Sequence, residues 1–194
     1  MAKLYFKYGA MGSSKSAQAL ITKFNYEEKG LKVWLIKPSI DTREELNIVS
    51  SRIGLKAECT AIFPTMSIWN EFENRLAQKV DVIIADESQF FTAAQIDDMR
   101  KIVDELEVPV LCFGLRTDFR THLFEGSRRL LEVADKITEI KNICECGRKA
   151  IVNARIDDNG NVITEGEQVL LGGDERYTAM CHRCWRKAIE QAIE

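Results

Sequence analysis

The sequence predicts an α/β fold built on a parallel sheet, followed by a smaller region of different character. Three observations carry this. Val33-Trp34-Leu35-Ile36, Val82-Ile83-Ile84-Ala85 and Val110-Leu111-Cys112-Phe113 are short, wholly apolar runs, the pattern of strands covered on both faces. Amphipathic stretches of helical period separate them, as crossovers between parallel strands require. After residue 141, Gly, Asn and Asp become common and four closely paired cysteines appear.

The first strand is marked by Leu4, Phe6 and Tyr8, which alternate with Lys3, Tyr5 and Lys7. It runs into Gly9-Ala10-Met11-Gly12-Ser13-Ser14-Lys15-Ser16. Ala17, Leu20, Ile21 and Phe24 then recur at helical spacing, with Gly30 as the stop. The strand Val33 to Ile36 is ended by Pro38. Residues 39–64 show weak periodicity and read as a long loop with one or two short elements. Ile68, Trp69, Phe72 and Leu76 mark a helix. The apolar strand at residues 82–85 ends in Asp86-Glu87. Thr92 and Gln95 have capping-box spacing, so a helix starts there, with Ile96, Met99, Val103 and Leu106 as its apolar face. The strand at 110–113 ends at Gly114. Leu123, Leu130, Leu131 and Val133 belong to a partly helical stretch, and Ile137 and Ile140 to a last strand. Beyond the boundary near Lys141, Asp157-Asp158-Asn159-Gly160 reads as a hairpin turn and Gly172-Gly173-Asp174 as a second turn. Trp185 to Ile193 reads as a short amphipathic helix.

The bulk numbers bound the function. The 194 residues suffice for a main domain with a small appendage. Lys+Arg number 27 against Asp+Glu 30, for a net charge of -3. That balance argues against wide binding to a nucleic-acid backbone, which usually needs a basic face. No apolar run approaches the roughly 20 residues that cross a bilayer, and the N-terminus lacks a secretory pattern. The expected setting is cytoplasmic, without a membrane partner. In that reducing compartment, paired cysteines more often bind metal than form disulfides.

The stretch from Gly9 to Ser16 sits between strand and helix. There, backbone N–H groups and the positive end of the helix dipole can receive a phosphate chain. Lys15 would reach the outer phosphates, and the Ser16 hydroxyl would hold Mg²⁺. The common pattern is Gly-x-x-x-x-Gly-Lys-[Ser/Thr], and Ser14 stands where its second Gly belongs. If that position needs a positive φ, serine costs about 1 kcal/mol. Asp86 at a strand's carboxyl end would hold Mg²⁺, leaving Glu87 to accept a proton from an attacking hydroxyl. Cys144-x-Cys146 and Cys181-x-x-Cys184 supply four thiolates for one closed, structural Zn²⁺ site. His182 lies inside the second pair and is left out of it. Arg43, Arg52, Arg116 and Arg120 lie in loops that can face the nucleotide, although a solvated surface arginine is the commoner role for any one of them.

Five segments in this order resemble one family: Gly9-x-Met11, Asp86-Glu87-Ser88-Gln89-Phe90-Phe91, Gly114-Leu115-Arg116-Thr117-Asp118-Phe119, Cys144-x-Cys146-Gly147-Arg148-Lys149-Ala150, and Gly172-Gly173-Asp174-Glu175-Arg176-Tyr177. Together they resemble the type II, cytosolic-type thymidine kinases. The resemblance implies a RecA-like P-loop kinase domain over residues 1–141 and a zinc-binding, lasso-containing domain over 142–194. It implies transfer of the ATP γ-phosphate to the 5′-hydroxyl of thymidine, with Mg²⁺. Glu87 would be the catalytic base. Gly9, Ala10, Met11, Gly12, Ser13, Ser14, Lys15 and Ser16 would form the ATP loop, with Asp86, Glu87, Ser88 and Gln89 as the second ATP segment. Met11, Leu115 and Phe119 would line the thymidine pocket, Gln168 and Leu170 would lie where backbone holds the base, and Tyr177 would pack on it. A homotetramer inhibited by dTTP is implied as well. The tight Cys144-x-Cys146 spacing matches a bacterial-type variant. Asp41-Thr42-Arg43 resembles the family's pattern after the second strand, which favours Arg43 for the transferring phosphate.

Two other readings stand beside this one. One is a P-loop kinase of another deoxynucleoside, such as deoxyuridine or deoxycytidine, since one methyl contact discriminates by only about 1–3 kcal/mol. The other is a nucleotide-dependent zinc module that grips nucleic acid, which the negative charge disfavours.

Overall fold

The computed structural model describes residues 1–40, 45–169 and 176–193. Six parallel strands form the central sheet: β1 (Leu4–Tyr8), β2 (Val33–Pro38), β5 (Thr60–Ile62), β6 (Val82–Ala85), β7 (Val110–Gly114) and β8 (Lys136–Glu139). Their order is β5-β2-β6-β7-β1-β8. Between β2 and β5 stands a small antiparallel hairpin, β3 (Ile48–Ser50) with β4 (Lys56–Glu58). The helices of this region are α1 (Lys15–Glu27), α2 (Ile68–Glu73), α3 (Ala93–Leu106) and α4 (Glu125–Val133).

The apolar runs are buried on both sides, as their composition demands. Leu4, Phe6, Trp34, Ile36, Ile83, Val110 and Cys112 face α2, α3 and α4, meeting Ile68, Phe72, Ile96, Met99 and Leu130. Leu35, Val82, Ile84, Leu111 and Phe113 turn the other way, toward Ala19 and Leu20 of α1 and Val49 of β3. Each fully buried Ile or Leu contributes about 1.5–3 kcal/mol. The capping box forms as expected: Gln95 N–H donates to Thr92 Oγ1 at 3.2 Å, and Thr92 N–H to Gln95 Oε1 at 3.1 Å.

Several expectations need correction. Residues 39–64 hold three short strands rather than one or two elements, although 41–44 lie outside the described residues. A three-residue strand offers one or two core-facing side chains, here Val49, Ala61 and Ile62, too few to show a period. On α1, Ile21 and Phe24 are exposed, and the buried stripe is Ala17, Ala19 and Leu20. The helix begun at Ile68 stops at Glu73, and Leu76 lies exposed in a 3₁₀ turn.

After residue 141, β9 (Asn142–Ile143) pairs with β10 (Lys149–Ala150). A second sheet has β11 (Val152–Ile156) between β12 (Val162–Ile163) and β13 (Tyr177–Met180). The β11–β12 turn falls at the expected residues: Asp157 Oδ1 accepts from the N–H groups of Asn159 and Asn161 at 2.9 and 2.8 Å. The final helix α5 (His182–Ile193) starts three residues before the expected amphipathic run, with Cys184 in its first turn. The turn expected at Gly172-Gly173-Asp174 lies outside the described residues. No described helix is long and apolar enough to cross a membrane.

Candidate active site

The carboxyl ends of parallel strands are where α/β sheets bind ligands, and here β1, β6 and β7 deliver their following residues to one cavity of about 290 Å³. Met11, Gly12, Ser14, Lys15 and Ser16 line it from the loop after β1. Asp86 and Glu87 line it from the end of β6, and Leu115 from the end of β7. The far wall is the β3 hairpin, residues 48–53. Sequence reasoning did not place that wall, because the hairpin's own periodicity is weak. Arg52 belongs to it, whereas Arg116 lies over the Tyr8 ring and Arg120 pairs with Asp118 at 3.4 Å. Arg43 lies outside the described residues.

The loop makes two left-handed turns, at Gly12 (φ 74°) and Ser14 (φ 61°). Gly9 is required by close approach: a Cβ there would stand 2.4 Å from Ser13 Oγ and 2.6 Å from the Ile140 carbonyl oxygen. Lys15 Nζ donates to the Ala10 carbonyl at 2.9 Å and lies 3.4 Å from Ser13 Oγ. Ser14 precedes α1 but its side chain makes no capping bond, and no acidic residue stands in the first turn. An α-helix whose first N–H groups lack a side-chain cap is suited to an anion.

Position 14 does take a positive φ, 61°, in the left-handed region that favours glycine. Ser14→Gly is expected to raise stability by about 1 kcal/mol, a rise in Tm of about 2–4 °C for a chain of this size. ATP affinity should stay level or improve. A large loss of affinity in a binding titration would show a loop built around the serine side chain.

Glu87 is 6% exposed and also left-handed, at φ 48°. Its Oε2 accepts from Gln89 Nε2 at 2.5 Å, while Gln89 Oε1 accepts from the Leu115 N–H at 2.9 Å. Ser88 Oγ donates to the Phe113 carbonyl at 2.9 Å. Ser88 and Gln89 thus turn their side chains into the sheet rather than the cavity. Gln89 ties the Glu87 carboxylate to the loop after β7. The 88–91 segment after β6 and α4 sit close because Gly126 has no side chain; a Cβ there would stand 2.5 Å from the Ser88 carbonyl oxygen.

The other expected nucleoside residues gather away from this cavity, around a side chain that sequence reasoning passed over. Arg155 is 1% exposed. Its guanidinium lies 3.8 Å from the Phe119 ring centre. Nε and Nη2 donate to Tyr177 Oη at 2.9 and 2.6 Å, and Nη1 to the Glu167 carbonyl at 2.9 Å. The Gln168 carbonyl accepts from Nη2 at 3.4 Å, and Gln168 Nε2 donates to Asp118 Oδ2 at 3.0 Å. Leu170 lies outside the described residues. One signal was available: Asn153 and Arg155 are two apart on a strand and so share a face, a polar face flanked by Val152 and Ala154.

The four cysteines meet. The Sγ atoms of Cys144, Cys146, Cys181 and Cys184 all lie within 4.8 Å of one another. That spacing fits a tetrahedral thiolate site, where Zn–S is about 2.3 Å. The Cys184 N–H, 3.4 Å from Cys181 Sγ, holds that thiol down to about 7. Burial opposes ionisation of Cys144, but the N–H groups of Cys181 and Cys146 bring it below the usual thiol value. Hydrogen bonds with Cys146 and Cys181 push Cys184 up to about 12. A partly ionised cluster of this kind is what a divalent cation would complete. Cys112, in contrast, is buried in the core and its thiol is pushed up by desolvation.

Comparison with known proteins agrees with the geometry. The family model described as thymidine kinase matches residues 2–185. A thymidine kinase of Zymomonas mobilis is 45% identical over 184 residues, covering 94% of this chain and 95% of that one. One from Legionella pneumophila strain Philadelphia 1 is 45% identical over 190 residues, covering 96% and 90%. One from Enterobacteria phage T4 is 44% identical over 188 residues, covering 96% and 97%. Among solved structures, Bacteroides Pif1 bound to ssDNA aligns with a TM-score of 0.39 and 15% identity over 71% of this chain and 38% of that one, too slight to carry an argument. With the family model matched along nearly its whole length, and relatives of similar size this alike, the chain belongs to the thymidine kinase family.

Proposed function

We propose that this chain transfers the γ-phosphoryl group of ATP to the 5′-hydroxyl of thymidine, and of deoxyuridine as a second acceptor, giving the monophosphate used in DNA synthesis. The observation that carries the reading is the convergence of Lys15, Ser16, Asp86 and Glu87 on one cavity beside Met11 and Leu115. Phosphoryl transfer asks for positioning and charge neutralisation more than covalent chemistry. Loop amides and Lys15 receive the phosphates, with Arg52 near enough to add charge. Ser16 and Asp86, both lining the cavity, would supply oxygens to Mg²⁺, which would neutralise phosphate charge. Glu87, held by Gln89, orients the acceptor hydroxyl and takes its proton. Phe119, from the loop after β7, joins Gln168, Leu170 and Tyr177 on the nucleoside side, with Gln168 and Leu170 on a lasso that zinc at the four cysteines would anchor.

The same reading includes a main domain over 1–141, a zinc and lasso domain over 142–194, work in the cytoplasm, inhibition by dTTP and a homotetramer. Ile21 and Phe24, exposed near one another on α1, support association of copies. The deciding assay incubates the protein with labelled ATP and a panel of nucleosides, with and without single-stranded DNA. Labelled product with thymidine and deoxyuridine alone is the expected result. Product with deoxycytidine would move the specificity elsewhere, and ATP hydrolysis stimulated by DNA would overturn the kinase reading.

A further inference from the structure

Two asparagines from beyond residue 141 grip the loop after β1 by its backbone. Asn153 Oδ1 on β11 accepts from the Met11 N–H at 2.8 Å, and its Nδ2 donates to the Thr117 carbonyl at 2.8 Å. Asn142 Nδ2 on β9 donates to the Met11 carbonyl at 2.7 Å. Both polar backbone groups of one residue are therefore held by side chains 142 and 131 positions further along the chain.

A trans peptide is planar, so its N–H and C=O point to opposite edges. Holding the Met11 N–H with Asn153 fixes the Ala10 carbonyl on the other edge. That oxygen receives Lys15 Nζ at 2.9 Å and the Ser13 N–H at 3.2 Å. Holding the Met11 carbonyl with Asn142 turns the Gly12 N–H away from Asn142, just where the loop reverses at φ 74°. Met11, Gly12 and Lys15 line the cavity, and neither asparagine is among the described residues that do.

We propose that Asn142 and Asn153 are positioning residues for the nucleotide. They set two successive peptide planes of the phosphate loop and, through the Ala10 carbonyl, the resting place of the Lys15 ammonium. The region that carries the cysteines thus shapes the ATP site without touching ATP. The inference rests on the reading that this cavity binds ATP.

The test is equilibrium binding of ATP to Asn142→Ala, Asn153→Ala and the unsubstituted full-length protein, with Tm and the KM for thymidine measured on the same preparations. Each substitution is expected to weaken ATP binding about two- to tenfold, the worth of one lost backbone hydrogen bond, with the thymidine KM of Asn142→Ala within about twofold of normal. Asn153 is buried, so Asn142→Ala, at a partly exposed position, carries the test where Asn153→Ala fails to fold. Unchanged ATP affinity in folded Asn142→Ala, beside normal binding by the unsubstituted protein, overturns the inference alone. Equal losses of ATP and thymidine affinity would also overturn it, since a merely structural role moves both. Failure of the unsubstituted protein to bind ATP overturns the reading of the cavity and the inference with it.

Discussion

Glu87→Gln is expected to lower thymidine turnover by about 10²- to 10⁴-fold, the usual worth of a general base, while ATP binding stays nearly intact. The amide matches the carboxylate in shape and its oxygen can still accept from Gln89, so the hydrogen bond at 2.5 Å has a substitute. The left-handed backbone at φ 48° is unchanged in kind, since Gln and Glu face the same steric limits there. What is lost is the ability to take a proton. Steady-state kinetics beside an ATP titration separate the two effects. Normal turnover in the folded variant would sink the assignment of Glu87 as base, and a parallel collapse of ATP binding would point to a role in holding the nucleotide instead.

Removing metal from the four-cysteine site is expected to produce the second large effect. Structural Zn²⁺ contributes about 10–16 kcal/mol in small metal-dependent folds, as much as the whole stability of many domains. The elements it would staple here are small: two two-residue strands, one short sheet and the start of α5. Chelation, or Cys181→Ser, should open residues 142–193 to proteolysis and raise the KM for thymidine by about tenfold or more, as a population of binding-competent molecules is lost. The sheet region should keep its protection, because its core is built from β1, β2, β6 and β7 against α1, α3 and α4. Unchanged cleavage after chelation would mean that the cysteines do not anchor this region.

Much of this was legible in the chain itself, for definite reasons. A strand covered on both faces must be apolar throughout, so the runs at 33–36, 82–85 and 110–113 announced the sheet. A capping box is a local interaction and appears in local sequence, as Thr92 and Gln95 do. Four cysteines in two pairs implied a meeting that the fold then brings about. The illegible parts depend on distant partners. Arg155 has the spacing of an ordinary strand residue until Phe119, Tyr177 and two carbonyls close around it. Asn142 and Asn153 acquire meaning only through the backbone of Met11. Ile21 and Phe24 had the right period for a buried stripe, and only the seating of α1 on the sheet turned them outward.

The strand order also governs when the loop after β1 comes into being. β1 leaves the ribosome well before its neighbours in the sheet, β7 and β8, which lie more than a hundred residues later. At about 5–20 residues per second, synthesis from Met11 to Asn153 takes on the order of ten seconds. For most of that interval β7, the strand beside β1, is not yet made, and to its end the Met11 N–H lacks Asn153. A nascent chain therefore completes the contacts of this loop late, close to the moment when its last two cysteines, Cys181 and Cys184, are made.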